Sequence, residues 1–105
     1  MSEQSFWVLS ALTGEPLHGY GVLREIETLS GGRLRLSVGT LYGILSRLTV
    51  DGSIEVDREV VVSSRLRRYY RLTVQGRQAL AAEVARIQAN ARIASARLRA
   101  SADGA

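Results

Sequence analysis

Phe6, Leu9 and Leu12 recur at helical spacing near the start of the chain, and Ser2 or Ser5 can cap the helix they predict. Thr13-Gly14-Glu15-Pro16 stops it, because glycine suits the left-handed residue after a helix and proline cannot continue one. Val22, Leu23, Ile26 and Leu29 mark a second helix from about His18 to Ser30, broken by Gly31-Gly32. Ser37 caps a third, in which Val38, Leu41, Tyr42, Leu45 and Leu48 follow the pattern of a helix with one face in a core. Asp51-Gly52 ends it. Ile54-Glu55-Val56-Asp57 then alternates with the period of a strand, as does Arg68-Tyr69-Tyr70-Arg71-Leu72. Between them, Arg58 to Arg67 predicts a β-hairpin with a polar, basic end. Thr73 can cap a long alanine-rich helix running to about Arg99, with Ser101 to Ala105 as a frayed tail.

The order is three short helices, two strands and a long helix. This predicts a mainly α (α+β) fold, a winged helix-turn-helix with a two-stranded wing and a long carboxy-terminal helix. Residues 1–73 form the winged unit and 74–105 the last helix with its tail, together one compact unit. An isolated hairpin is marginal in water, and here Ile54, Val56, Tyr70 and Leu72 can pack onto the three helices.

Three constellations carry functional meaning. At the start of the third helix, Ser37, Gly39 and Thr40 lie away from the leucine stripe, the place from which recognition helices reach into the major groove. An ordinary amphipathic core helix would read the same way on this segment alone. In the hairpin, Arg65, Arg67, Arg68 and Arg71 are interleaved with Tyr69 and Tyr70. Such a ribbon can follow phosphates or place an arginine in the minor groove, or it is a solvated strand. In the last helix Leu80, Val84, Ile87, Ala91, Ala94 and Leu98 are spaced 4, 3, 4, 3, 4, a heptad seam. A small wing cannot cover that seam, so it predicts a homodimer, the symmetry that palindromic DNA sites require. The alternative is a helix folded back over its own domain.

Composition narrows the classes. The chain has 105 residues, 46% hydrophobic and 23% charged, the balance of one globular domain. Its net charge is +4, and all 14 basic residues are arginine. Codon usage in a GC-rich genome explains arginine over lysine, yet arginine forks also suit phosphates and guanine edges. A basic domain fits a polyanion, and charge alone does not separate nucleic acid from anionic lipid. No apolar run reaches the roughly 18 residues of a membrane span, and Phe6 to Leu12 lacks the basic lead of a signal peptide. The absence of cysteine removes disulfides and thiolate chemistry and fits a reducing cytoplasm. His18 is the only histidine. It suits a helix cap better than a catalyst. The sequence implies no enzyme, cofactor or metal site. Trp7 and Ala11 form a stripe beside that of Phe6, Leu9 and Leu12. It can pack in a dimer interface or line an apolar pocket for a flat aromatic ligand.

These residues coincide with a family pattern. His18-Gly19-Tyr20-Gly21 resembles the start of the second helix in PadR-like regulators. Ser37-Val38-Gly39-Thr40-Leu41-Tyr42, with Leu45, Arg47-Leu48 and Asp51-Gly52, is similar to that family's recognition helix. Arg67-Arg68-Tyr69-Tyr70-Arg71-Leu72-Thr73 with Gly76 resembles its second wing strand and the start of its last helix. The blocks span about residues 5 to 82 in the family's order. The resemblance implies double-stranded operator DNA as partner, contacted through His18, Tyr20, Ser37, Gly39, Thr40, Tyr42, Arg47, Arg65, Arg67 and Arg68. It also implies repression of nearby genes relieved by a small aromatic or amphipathic effector, and dimerisation through a single last helix, as in the shorter subfamily. Two features depart from the pattern. Gly43 stands where the family often has proline, and the wing end from Glu59 to Arg67 lacks the usual glycines. A winged-helix protein-interaction module that does not read DNA is the alternative.

Overall fold

The computed structural model describes residues 1–104. Helix α1 (Glu3–Ala11) starts at Ser2, whose hydroxyl accepts from the Ser5 amide at 3.0 Å. Ser2 is therefore the cap, while Ser5 is buried in the first turn. Helix α2 (Gly19–Leu29) begins one residue later than the periodicity suggests, because His18 caps it: Nδ1 accepts from the Gly21 amide at 3.3 Å. Helix α3 (Val38–Val50) is capped by Ser37, which accepts from the Thr40 amide at 3.1 Å.

The core lies between these helices and the base of the sheet. Val8, Leu9 and Leu12 meet Val22 and Ile26 of α2, Leu41, Ile44, Leu45 and Leu48 of α3, and Ile54 and Tyr70 below. The buried stripe of α3 is rotated from the expected one. Val38 and Tyr42 are exposed and Ile44 is buried, because Tyr42 is drawn sideways to lie over the start of α2 at Gly19. Leu29, the last residue of α2, is exposed rather than in the core.

The sheet has three strands, one more than expected. The short β1 (Leu17–His18) pairs antiparallel with β3 (Arg65–Leu72), which pairs with β2 (Ile54–Val62), giving the order β1-β3-β2. Two residues give too weak an alternation to read in sequence. Strands β2 and β3 run much further outward than the predicted four and five residues, to a two-residue turn at Ser63-Ser64. Both serines have positive φ, 51° and 65°, the sign pattern of a type I′ hairpin turn. Asp57 is an extra residue in β2: Val56 pairs with Tyr70 and Arg58 with Tyr69. Val56, at this bulge, is exposed and does not join the core as expected.

Helix α4 (Val74–Gly104) starts under Thr73, whose hydroxyl accepts from the Gly76 amide at 3.0 Å and donates to the Gly52 carbonyl at 2.6 Å. Gln75 Nε2 donates to the Asp51 carbonyl at 2.8 Å. A Cβ on Gly76 would come within 1.9 Å of the Ser53 carbonyl oxygen, so only glycine lets α4 lie this close to the α3–β2 turn. Leu80 completes the core. Helix α4 then continues to Gly104, so residues 101–104 of the expected frayed tail are helical, and Ala105 lies outside the described residues. The projecting helix gives a Cα radius of gyration of 17.1 Å, against about 13 Å for a compact chain of this length.

Candidate nucleic-acid interface

Helix α3 and the wing are two walls of one open cleft of about 650 Å³. Six of the ten predicted contact residues line it: His18, Tyr20 and Tyr42 on the helical side, Arg65, Arg67 and Arg68 on the wing. Ser37, Gly39, Thr40 and Arg47 stand outside it, exposed along α3. Ser46 and Leu66 also line the cleft and were not singled out in sequence. For Ser46 the signal was present: Gly39, Gly43 and Ser46 are spaced 4 and 3, one exposed face of a helix.

Nothing in the chain needs Gly39 or Gly43 to be glycine. A Cβ at either would meet no atom within 4 Å. Each glycine weakens α3 by roughly 1 kcal/mol against alanine, and the return is a bare helical face. Gly19 is different. Its Cβ would sit 2.7 Å from the Tyr42 hydroxyl, so its smallness serves Tyr42. The Ser37 hydroxyl, besides capping, donates to Thr40 Oγ1 at 2.9 Å. This fixes the threonine rotamer and leaves its own proton facing outward.

The wing arginines differ in how they are partnered. Arg71 reaches Glu55 at 2.7 Å across the strands and Asp57 at 3.6 Å, and Arg58 reaches Asp57 at 3.0 Å. Arg68 is 3.6 Å from Glu59. These exposed pairs anchor side chains more than they stabilise the fold. Among the described residues Arg65 and Arg67 have no carboxylate within 4 Å, and both are among the residues that line the cleft. Positive charge is thus neutralised at the wing base and free towards its end.

His18 ties wing to helix. Its ring packs edge-on against Tyr69 at 5.3 Å, and Tyr69 carries the Arg58 guanidinium 4.0 Å above its ring. Burial pushes the His18 pKa below its ordinary 6.5, and the positive charges of Arg67 and Arg24 push the same way. His18 is therefore neutral at pH 7. With Nδ1 accepting from Gly21, its proton is on Nε2.

The description "Transcriptional regulator PadR-like family" matches residues 8–82. The chain belongs to that family. A transcriptional regulator of Mycobacterium tuberculosis is 41% identical over 73 residues, covering 70% of this chain and 64% of its own. The fold matches a PadR family transcriptional regulator from Eggerthella lenta, with TM-score 0.75 and 26% identity over 90% of this chain and 80% of that one. It also matches Bacillus subtilis PadR, crystallised in complex with operator DNA, with TM-score 0.71 and 23% identity over 79% of this chain. This chain spans less than two thirds of the tuberculosis relative and 48% of the Bacillus chain.

Two further predicted regions lie away from the cleft. Along α4, Val84, Ile87, Ala91, Ala94 and Leu98 are exposed, whereas Leu80, the first residue of the seam, is spent on the chain's own core. Between α1 and α4 is a second hollow of about 390 Å³, lined by Phe6, Trp7, Glu83, Arg86 and Ile87. Trp7 stands edge-on to Phe6 at 5.3 Å. Ala11, one turn further along the same stripe, does not line the hollow: it is 5% exposed and buried in the core. Glu83 is 7% exposed, and its bidentate bond from Arg86 holds its pKa below the usual carboxylate value. Among the described residues no helix is long and apolar enough to cross a membrane.

Proposed function

We propose that the chain is a cytoplasmic, dimeric, sequence-specific DNA-binding repressor. Helix α3 enters the major groove, its Gly39–Gly43 face against the bases and Thr40 reading a base edge. Arg65 and Arg67 hold phosphates from the wing, with Arg68 beside them and Arg47 adding a phosphate contact from α3. The single observation that carries this reading is a bare helical face beside free positive charge. Gly39 and Gly43, which nothing in the chain requires, bare one face of α3 next to the cleft, and Arg65 and Arg67, without a carboxylate partner among the described residues, line its wing side. A catalytic or purely structural cleft gives no reason for both. The match to the PadR-like family supports the same reading. A second copy joins through Val84, Ile87, Ala91, Ala94 and Leu98, which places two α3 helices on a palindromic operator.

The test is binding to the upstream region of the chain's own gene, measured by fluorescence anisotropy against random duplex. Wild type prefers the specific fragment, and Thr40→Ala narrows that preference. Equal binding to both fragments by wild type would remove the sequence-reading role. The effector belongs to the same proposal: a flat aromatic compound enters the hollow beside Trp7. It releases DNA by favouring a dimer that does not fit the operator. Titration of planar aromatic compounds should quench Trp7 fluorescence to saturation, less strongly with operator present. A panel without any saturable quenching would leave Trp7 as packing.

A further inference from the structure

The outer part of the wing is apolar in a way that neither the core nor phosphate binding explains. Val61 is 70% exposed and Leu66 56%. They are register partners across the β2–β3 ladder, so they share one face of the ribbon. Glu59, Arg68 and Tyr70 share that face. It is the side on which Tyr70 reaches the core and Leu66 lines the cleft. Leu66 lies four residues beyond Tyr70, about 13 Å further out along the strand. Val60-Val61-Val62 also forms an uncharged run on β2, an edge strand by the sheet order. Exposed edges of this kind invite aggregation and are usually broken by charge. A run kept apolar there has a surface to meet.

We propose that Val61 and Leu66 form an apolar wedge that enters the DNA minor groove beside the α3 site, packs on deoxyribose rings and bends the duplex. The proposal rests on the DNA-binding reading above and adds a contact that this reading does not contain. Three observations select the minor groove. The wedge is continuous with the cleft lining through Leu66. Arg65 and Arg67 flank it, and Glu59, on the same face, is paired with Arg68, so the local charge suits a phosphate-walled groove. The ribbon ends in a turn of only two residues, a narrow blade. In the major groove apolar side chains meet only thymine methyl groups, whereas minor-groove binders use them to part base steps and kink the helix.

An apolar contact displaces no counterion, and this gives it a signature. The probe is a short duplex carrying the upstream sequence that the wild-type chain protects, labelled at both ends for energy transfer. Leu66→Ala should weaken binding roughly tenfold, the order of one lost specific contact. It should also shrink the change in energy transfer on binding and leave the slope of log affinity against log salt unchanged. Arg65→Ala should lower that slope by about one. Leu66 is exposed, so its truncation leaves the fold intact, and an unchanged melting temperature confirms this. If Leu66→Ala binds and bends like wild type, the wedge is wrong while the DNA reading stands. If it instead changes sedimentation but not DNA affinity, the face is a contact between copies and the wedge is again wrong. Wild type that binds no duplex at all would overturn the DNA reading and the wedge together.

Discussion

The wing and the distal half of α4 both leave the core, and both carry exposed apolar side chains. They differ in how charge is arranged around those side chains. In the wing, Arg65 and Arg67 sit in direct register with Val62 and Val60 and bracket Leu66 along β3, so cations alternate with apolar positions. On α4, Val84, Ile87, Ala91, Ala94 and Leu98 recur on one stripe, while Arg86, Arg92, Arg97 and Arg99 fall off it. Interleaving suits a surface that is itself apolar and anionic, as nucleic acid is. Segregation suits a second helix that repeats the same stripe. Exposed hydrophobicity alone would give both regions the same partner; the placement of arginine separates them.

The largest expected effect tests the α4 side. Ile87→Asp places charge in the seam, which a paired helix cannot accept without a cost of several kcal/mol. Sedimentation should show a monomer, and operator affinity should fall by roughly 100-fold as the second half-site is lost. A variant that still sediments as a dimer would show that the seam is not the interface. The next effect tests the wing. Arg67→Ala should reduce operator affinity about tenfold and lower the salt slope by about one, with sedimentation unchanged. If sedimentation changes instead, the two regions do not divide their partners as proposed.

A smaller effect concerns the wing alone. A left-handed residue other than glycine costs roughly 1–2 kcal/mol, and the turn holds two such serines. Replacing Ser63-Ser64 by Asn-Gly should stabilise the chain by about 1 kcal/mol, read as a rise in Tm of roughly 4–8 °C. No rise would mean that the turn relaxes in solution. The same change should leave the α4 seam, and so the oligomeric state, untouched.

The smallest effect is in pH, and it separates the two attachments. His18, at the wing base, has its pKa lowered by burial, so the unfolded chain binds the proton more readily than the folded one. Its contribution is complete above 6.5 and is lost as pH falls from there through the lowered value. Glu83, where α4 meets α1, is lowered by its bond from Arg86. Its contribution is complete above 4.5 and is lost only as pH falls below that. Acidification should loosen the wing base before the α4 base, measurable as earlier loss of amide protection in β1 and β3. Simultaneous loss would mean that His18 does not hold the junction.

Much of this arrangement can be read from the chain. The capping residues Ser37 and Thr73, the strands flanking the wing and the basic residues Arg65, Arg67 and Arg68 follow from spacing and residue type, whereas His18, Tyr20 and Tyr42 enter the cleft set through the family resemblance. The misses have local causes. Strand β1 has only two residues, below any periodic signal. The wing strands extend outward because backbone pairing continues through Arg58 to Val62, where side-chain alternation between core and solvent has ended. Tyr42 fits the core stripe of α3 by its spacing. Its true position depends on Gly19, distant in sequence, leaving room for the ring. Leu80 and Ala11 fit seam and stripe equally well, and only the packing of α4 on α1 assigns them inward. A one-dimensional pattern shows which side chains want cover and leaves open whether the cover comes from the same chain.

The stitch between α4 and the end of α3 has a mechanical consequence. Thr73, Gln75 and the tight approach of Gly76 to Ser53 clamp the first turn of α4 to the Asp51–Ser53 turn. Helix α4 has 31 residues, a lever about 46 Å long at 1.5 Å per residue. In a pair joined along that lever, its angle of crossing sets the separation of the two α3 helices, and half-sites on DNA lie about 34 Å apart. A small molecule wedged between α1 and α4 would act close to the fulcrum. In the proposed dimer, a slight change of angle there would become a large change of reach at the two α3 helices, so the fit to an operator would be lost while neither helix changed shape.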